Sequence, residues 1–160
     1  MGGLFFSTAI MLTTSLVAFL HFIFAFGVAA CIIFEKVLFR QELNKERADL
    51  LRKTDSLYGL SAILVLVIGF LRVFYFEKGS AFYFASPFFH LKLTLFIIIG
   101  LLSIYPTIVF LKWRKLKADQ FPISLETKVY SRIQKILTAE TILIILLMLS
   151  ASLMAKGLSF

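Results

Sequence analysis

The sequence predicts an all-α integral membrane protein, a four-transmembrane-helix bundle with both termini outside (N-out/C-out). Three observations carry this. Apolar runs at about 8–34, 56–76, 88–111 and 133–155 each reach roughly the 20 residues that a helix needs to cross a bilayer. The basic residues gather in alternate connections instead of being spread along the chain. The composition, 60% hydrophobic with 19 Phe in 160 residues, excludes an ordinary water-soluble domain, whose apolar share is nearer one half.

The first run, TAIMLTTSLVAFLHFIFAFGVAACIIF, holds no formal charge and has His21 near its middle. An ionisable group at that depth is tolerated mainly when it faces a packed interior or a ligand. No basic region followed by a cleavage site precedes this run, so no removable signal peptide is expected. The segment EKVLFRQELNKERADLLRKTD lacks Gly and Pro. It is expected to extend the first helix beyond the membrane, turn, and begin the second. The second run is interrupted only by Arg72, and EKGSAFYFASP then reads as an aromatic, turn-rich connection at a membrane surface. The third run contains His90, Lys92 and Pro106. A basic loop broken by Pro122 leads to the fourth, which carries Glu140 near its start. Residues 1–160 are thus read as a single four-span membrane domain.

Loop charge sets the orientation. Lys36, Arg40, Lys45, Arg47, Arg52 and Lys53 flank the first connection, and Lys112, Arg114, Lys115, Lys117, Lys128, Arg132 and Lys135 flank the third. The positive-inside rule puts both in the cytoplasm; the opposite side has only Lys78 in its loop and Lys156 near the C-terminus. The formal charge of +8 is therefore a topology signal and a source of anionic-lipid contacts, and nucleic acid is not an expected partner. Cys31 is the only cysteine, so no intramolecular disulfide exists, and inside a span it is expected to be a small packing residue. Four scattered Met make no soft-metal path, and the Phe are lipid-facing bulk by default.

Helical geometry, about 100° per residue, sorts the polar groups onto faces. Ala18, His21, Ala25 and Val28 share one stripe of the first span, and Asp55, Gly59, Ala62, Leu66, Gly69 and Arg72 share one of the second. Small residues mark close approach of helices in membranes, so both stripes are expected to face inward. His90 and Lys92 lie about 200° apart. Lys92, with Phe96, Gly100, Ser103 and Thr107, is expected to face the interior; His90, with Ile97, Leu101, Ile104 and Ile108, is expected to face lipid near the interface. Arg72 and Lys92 then sit in the outer half above His21, where an anionic ligand would fit between two cations; the alternative is that both snorkel to headgroups. At the cytoplasmic end Glu35, Asp55, Tyr58 and Glu140 form a candidate polar cluster. Its carboxylates are expected to pair with nearby Lys and Arg, or with Tyr58, and to hold the helix ends together; a proton path is the sharper alternative.

With these residues in hand, the chain resembles an uncharacterised bacterial membrane-protein family, domain of unknown function 2214. The likeness rests on FLHFIFAFGVAACIIFEKVLFR around His21 and Glu35, DSLYG at 55–59, GFLRVFYFEKG around Arg72, SPFFHLKL with Lys92, and GLLSIYPTIVFLKWRK from Gly100. A looser outline is similar to the HemJ-type protoporphyrinogen oxidases, through Leu20-His21 in the first span and His90-Leu91-Lys92-Leu93 opening the third. That resemblance implies haem or porphyrin bound through the His and the Lys. The chain departs from it in the residues after His21 and in carrying Arg72. CopD-type copper modules share the loose outline, without Met and Cys ligands here.

The expectation that follows is a multi-pass protein of a bacterial inner membrane. Its cofactor is expected to be haem b or porphyrin, with His21 as an axial iron ligand and Arg72 and Lys92 on the propionates. Redox exchange with quinone would make it an oxidoreductase. The competing expectation is a non-enzymatic subunit that binds anionic lipid or docks on a larger membrane complex, as a homo-oligomer or otherwise. Copper or small-solute transport is the third.

Overall fold

The computed structural model of the protein describes residues 2–76 and 79–155; Lys78 and Lys156 lie outside the described residues. Helix α1 runs over Gly2–Leu38, α2 over Lys45–Leu71, α4 over Pro87–Lys112 and α5 over Thr127–Ala155, with a short α3 at Ser80–Phe84 in the outer connection. All four long helices are apolar and long enough to span a bilayer, and α1, α2 and α5 extend several residues past the apolar runs that announce them.

Helix boundaries follow from local chemistry. Asn44 caps α2, its side-chain oxygen accepting from Arg47 N at 2.9 Å, which satisfies one of the amides left without an intrahelical partner. Asn44→Ala is expected to cost about 0.5–2 kcal/mol, read as a lower midpoint of thermal unfolding in detergent. Pro87 opens α4 at a position whose missing N–H costs nothing. The outer end of α2 widens into a π-helical turn over Arg72–Phe76, a local loosening often associated with functional positions.

Helices α1 and α2 form one antiparallel hairpin and α4 and α5 another; α1 also packs on α5 and α2 on α4, closing a four-sided bundle. The connections after α1 and after α4 meet in a two-residue antiparallel ladder, β1 (Glu42–Leu43) on β2 (Ile123–Ser124), with Leu43 opposite Ile123. Both basic connections therefore occupy one end of the bundle, cytoplasmic by the positive-inside rule. Beneath the ladder a compact core of Phe39, Leu43, Ala48, Leu51, Phe110, Trp113, Ile133 and Leu137 closes that end. A second core of Val28, Cys31, Ile32, Tyr58, Val65, Ile99 and Ile144 lies deeper.

The faces follow the helical phase with two corrections. Ile97, Leu101, Ile104 and Ile108 are exposed, as lipid-facing residues should be. Leu66, however, is 39% exposed while Val65 is buried; the inner line of α2 runs through Leu51, Asp55, Tyr58, Ser61 and Val65, one residue off the small-residue stripe. Gly100 is exposed too, because the inner line of α4 runs Ile99, Ser103, Pro106, Phe110. Phe39, Phe89 and Phe110 depart from the lipid-facing rule and are buried.

Candidate functional site

Helix packing fixes the depth of each polar group. A side chain begun at Gly27 would meet Ser61 Oγ at 3.0 Å, and one begun at Gly69 would meet His21 Cε1 at 3.1 Å. Each pair sums to nearly the same total along the antiparallel hairpin, so Glu35 of α1 lies level with Asp55 of α2.

There the four long helices each contribute polar side chains. Glu35, Asp55 and Glu140 are 4%, 5% and 1% exposed. Thr107 Oγ1 of α4 donates to Asp55 Oδ1 at 2.6 Å. Ser103 Oγ, one turn away on the same helix, lies 2.6 Å from Glu140 Oε1 of α5 and 2.7 Å from Tyr58 OH of α2. Glu35, set level with Asp55 by the helix register, is the α1 member of this buried layer. Its Oε1 is fully buried with no hydrogen-bond partner among the described residues.

The expected pairing of these carboxyls with Lys and Arg is not what the structure shows. Among the described residues none of the three makes an ion pair; the ion pair seen on α2 joins Arg52 and Asp49 instead. The basic side chains are long enough to reach water and remain there, and hydroxyls take their place inside. Among the described residues no carboxyl bonds Tyr58 directly either; Ser103 stands between Tyr58 and Glu140. Ser103 and Thr107 are the members that sequence reading placed on an inner face without assigning to the cluster. Two hydroxyls at i and i+4 of an apolar span, with carboxyls on the facing spans, are the signal that would have found them.

The outer polar groups are arranged differently. His21 rests against the backbone of α2 at Gly69, and the guanidinium of Arg72, three residues on, lies over the ring of Phe22 at 5.7 Å. Side chains lean toward the N-terminus of their helix, so Arg72 dips inward from the outer end of α2. Lys92 leans outward over Phe89, its Nζ 5.5 Å from the ring centroid. His21, Arg72 and Lys92 are all half-buried, whereas His90 is exposed and its Nε2 meets Phe84 O at 2.9 Å. His90 is therefore interfacial, and His21 packs on the α1–α2 seam one turn from Arg72.

Residues 13–159 match the model of the family described as predicted membrane protein, DUF2214. The chain belongs to this family. No curated protein and no solved structure matches it. Membership of DUF2214 agrees with the four apolar helices and their contact with a lipid bilayer.

Cys31 lies one turn from Glu35 and is buried. In the folded protein it is expected to react with a membrane-permeant maleimide at least about tenfold more slowly than after unfolding in SDS, since a thiol must be exposed and ionised to react; mass spectrometry of the labelled protein measures this.

Proposed function

We propose that this DUF2214 protein is a proton-handling protein of the bacterial inner membrane, binding and releasing a proton at the cluster of Glu35, Asp55, Tyr58, Ser103, Thr107 and Glu140. One observation carries the reading: three carboxyls from three helices are buried at one level of the bundle, Asp55 and Glu140 bonded to hydroxyls and, among the described residues, none of the three in an ion pair. A carboxylate buried without an ion-pair partner is costly, and a cation must neutralise it. Among the described residues no three His, Cys, Asp or Glu side chains are arranged to hold a metal ion. A proton needs no such shell. It sits on one oxygen and turns an acceptor into a donor, which suits carboxyls whose partners are hydroxyls.

The test is a pH step applied to vesicles carrying the full chain and an internal pH dye. Wild-type protein is expected to accelerate internal pH change over protein-free vesicles, and Glu35→Gln, Asp55→Asn and Glu140→Gln to slow it at least about tenfold. A wild-type rate equal to that of empty vesicles overturns the reading.

A second reading, haem b or porphyrin binding, is supported by His21 packing at Gly69, one turn from Arg72, on the α1–α2 seam. Gly69 lies against the Cε1–Nδ1 edge of the imidazole, so Nε2 is the nitrogen that would hold the iron, and Arg72 and Lys92 would pair with the propionates. Bound haem would supply one-electron chemistry, with quinone as the membrane partner. A Soret band that His21→Ala abolishes is the expected result; no Soret band after haem supplementation removes this reading and leaves the proton reading standing.

A further inference from the structure

We propose that Ser103 is a two-position hydrogen-bond switch, turning its single hydroxyl hydrogen between Ile99 O and Glu140 Oε1 according to whether Glu140 carries a proton. The inference rests on the proton reading and names the residue through which that site acts.

Counting hydrogens carries it. Ser103 Oγ has three oxygen neighbours: Tyr58 OH at 2.7 Å, Glu140 Oε1 at 2.6 Å and Ile99 O at 2.9 Å. A serine hydroxyl donates one hydrogen and accepts two. Ile99 O only accepts. If Glu140 is a carboxylate it also only accepts, and Ser103 then has two acceptors for one hydrogen. One short contact is left without a hydrogen even when Tyr58 donates to Ser103. If Glu140 carries a proton, its O–H donates to Ser103, Tyr58 donates to Ser103, and Ser103 donates to Ile99 O. All three contacts are satisfied, with one hydrogen given and two accepted. When that proton leaves for the aqueous phase, the hydrogen of Ser103 turns from Ile99 O to Glu140 Oε1, and the side-chain bond to the backbone of α4 is lost.

The switch sits where α4 is ready to respond. Serine bonds to the carbonyl four residues back bend helices. One turn further on, buried Pro106 offers no N–H to Leu102 O. Adjacent turns of α4 thus hold one carbonyl bond that comes and goes with the proton and one that is absent permanently, so protonation of Glu140 alters the bend of α4. The titratable groups at this level are Tyr58 of α2, bonded to Ser103, Asp55 of α2, bonded to Thr107 one turn along α4, and Glu35 of α1, level with Asp55 and one turn from Cys31; α4 presents the neutral Ser103.

Infrared difference spectroscopy of the full chain in vesicles, stepped in pH, reads the switch. The wild type is expected to show a protonated-carboxyl C=O band, lost in Glu140→Gln, together with a tyrosine C–O band that changes with it. In Ser103→Ala the carboxyl band should persist but move to higher frequency, because the acid has lost its acceptor, and the tyrosine band should stop following pH. Ser103→Thr should behave as wild type. If Ser103→Ala does not fold, Ser103→Gly serves, with the same carboxyl shift and the same loss of the tyrosine response expected. An unshifted carboxyl band, or a tyrosine signal that still follows pH, in whichever of these two Ser103 variants folds overturns the switch while leaving the proton reading intact. Absence of any carboxyl band assignable to Glu140 in the wild type overturns both.

Discussion

Phe39→Ala is expected to destabilise the protein by about 3–5 kcal/mol, the cost of emptying a fully packed aromatic site. Phe39 is completely buried, stacked on Tyr130 at 5.5 Å and 21° and tilted against Phe110 at 5.9 Å. Its carbonyl accepts from Gln134 Nε2, which ties the end of α1 to α5. The core around it lies at the basic end, beneath the β1–β2 ladder, where unfolding exposes the ring to water. The hydrophobic effect therefore acts at full strength there. Phe26 makes the contrast. It is 65% exposed on α1, its surroundings are lipid in either state, and lipid chains are as apolar as its neighbours. Phe26→Ala should move stability by no more than about 0.5 kcal/mol. Midpoints of SDS-induced unfolding for the two variants, measured side by side, check the pair; equal midpoints would mean that the basic-end core is not closed to water.

That contrast also separates what the sequence makes legible from what it hides. Spans, orientation and inner faces depend on composition and on a period of 3.6 residues, both local, and so the four helices and the lipid-facing side of His90 are readable without coordinates. The depth relations are readable in part: Glu35, Asp55, Tyr58 and Glu140 are recognisable as one level because spans alternate in direction. Which partners they choose is not. Lys and Arg are abundant near both basic connections, and charge alone favours them. What decides is desolvation: a long cationic side chain keeps its head in water, while Ser103 and Thr107 are short, already inside, and able to donate. The one-residue shift from Leu66 to Val65 has a similar origin, since a stripe of small residues marks where helices touch but the larger neighbour fills the seam. The β1–β2 ladder is invisible locally because each strand is two residues long and depends on its partner 80 positions away.

The close approach of α1 and α2 gives the second large effect. Gly27→Val is expected to cost about 1–3 kcal/mol or more, as overpacking does, because a Cβ at Gly27 already stands 3.0 Å from Ser61 Oγ and 3.5 Å from Ser61 Cβ, and the two methyls of valine extend further. Two opposing contributions act at this position. Replacing glycine in a helix recovers up to about 1 kcal/mol of backbone entropy, whereas the clash separates the helices. Gly59 isolates the first, since nothing lies within 4 Å of a Cβ built there; Gly59→Ala should be neutral or stabilising by up to about 1 kcal/mol. Ser61→Gly isolates the second by removing both atoms that the new side chain meets. In a double-mutant cycle, Gly27→Val with Ser61→Gly should be less destabilised than the sum of the single changes by at least about 0.5 kcal/mol, the coupling expected of residues in contact. Additive effects would mean that Gly27 does not face Ser61. The register that sets Glu35 level with Asp55 would then fail with it, so this cycle tests the frame on which the carboxyl cluster is built.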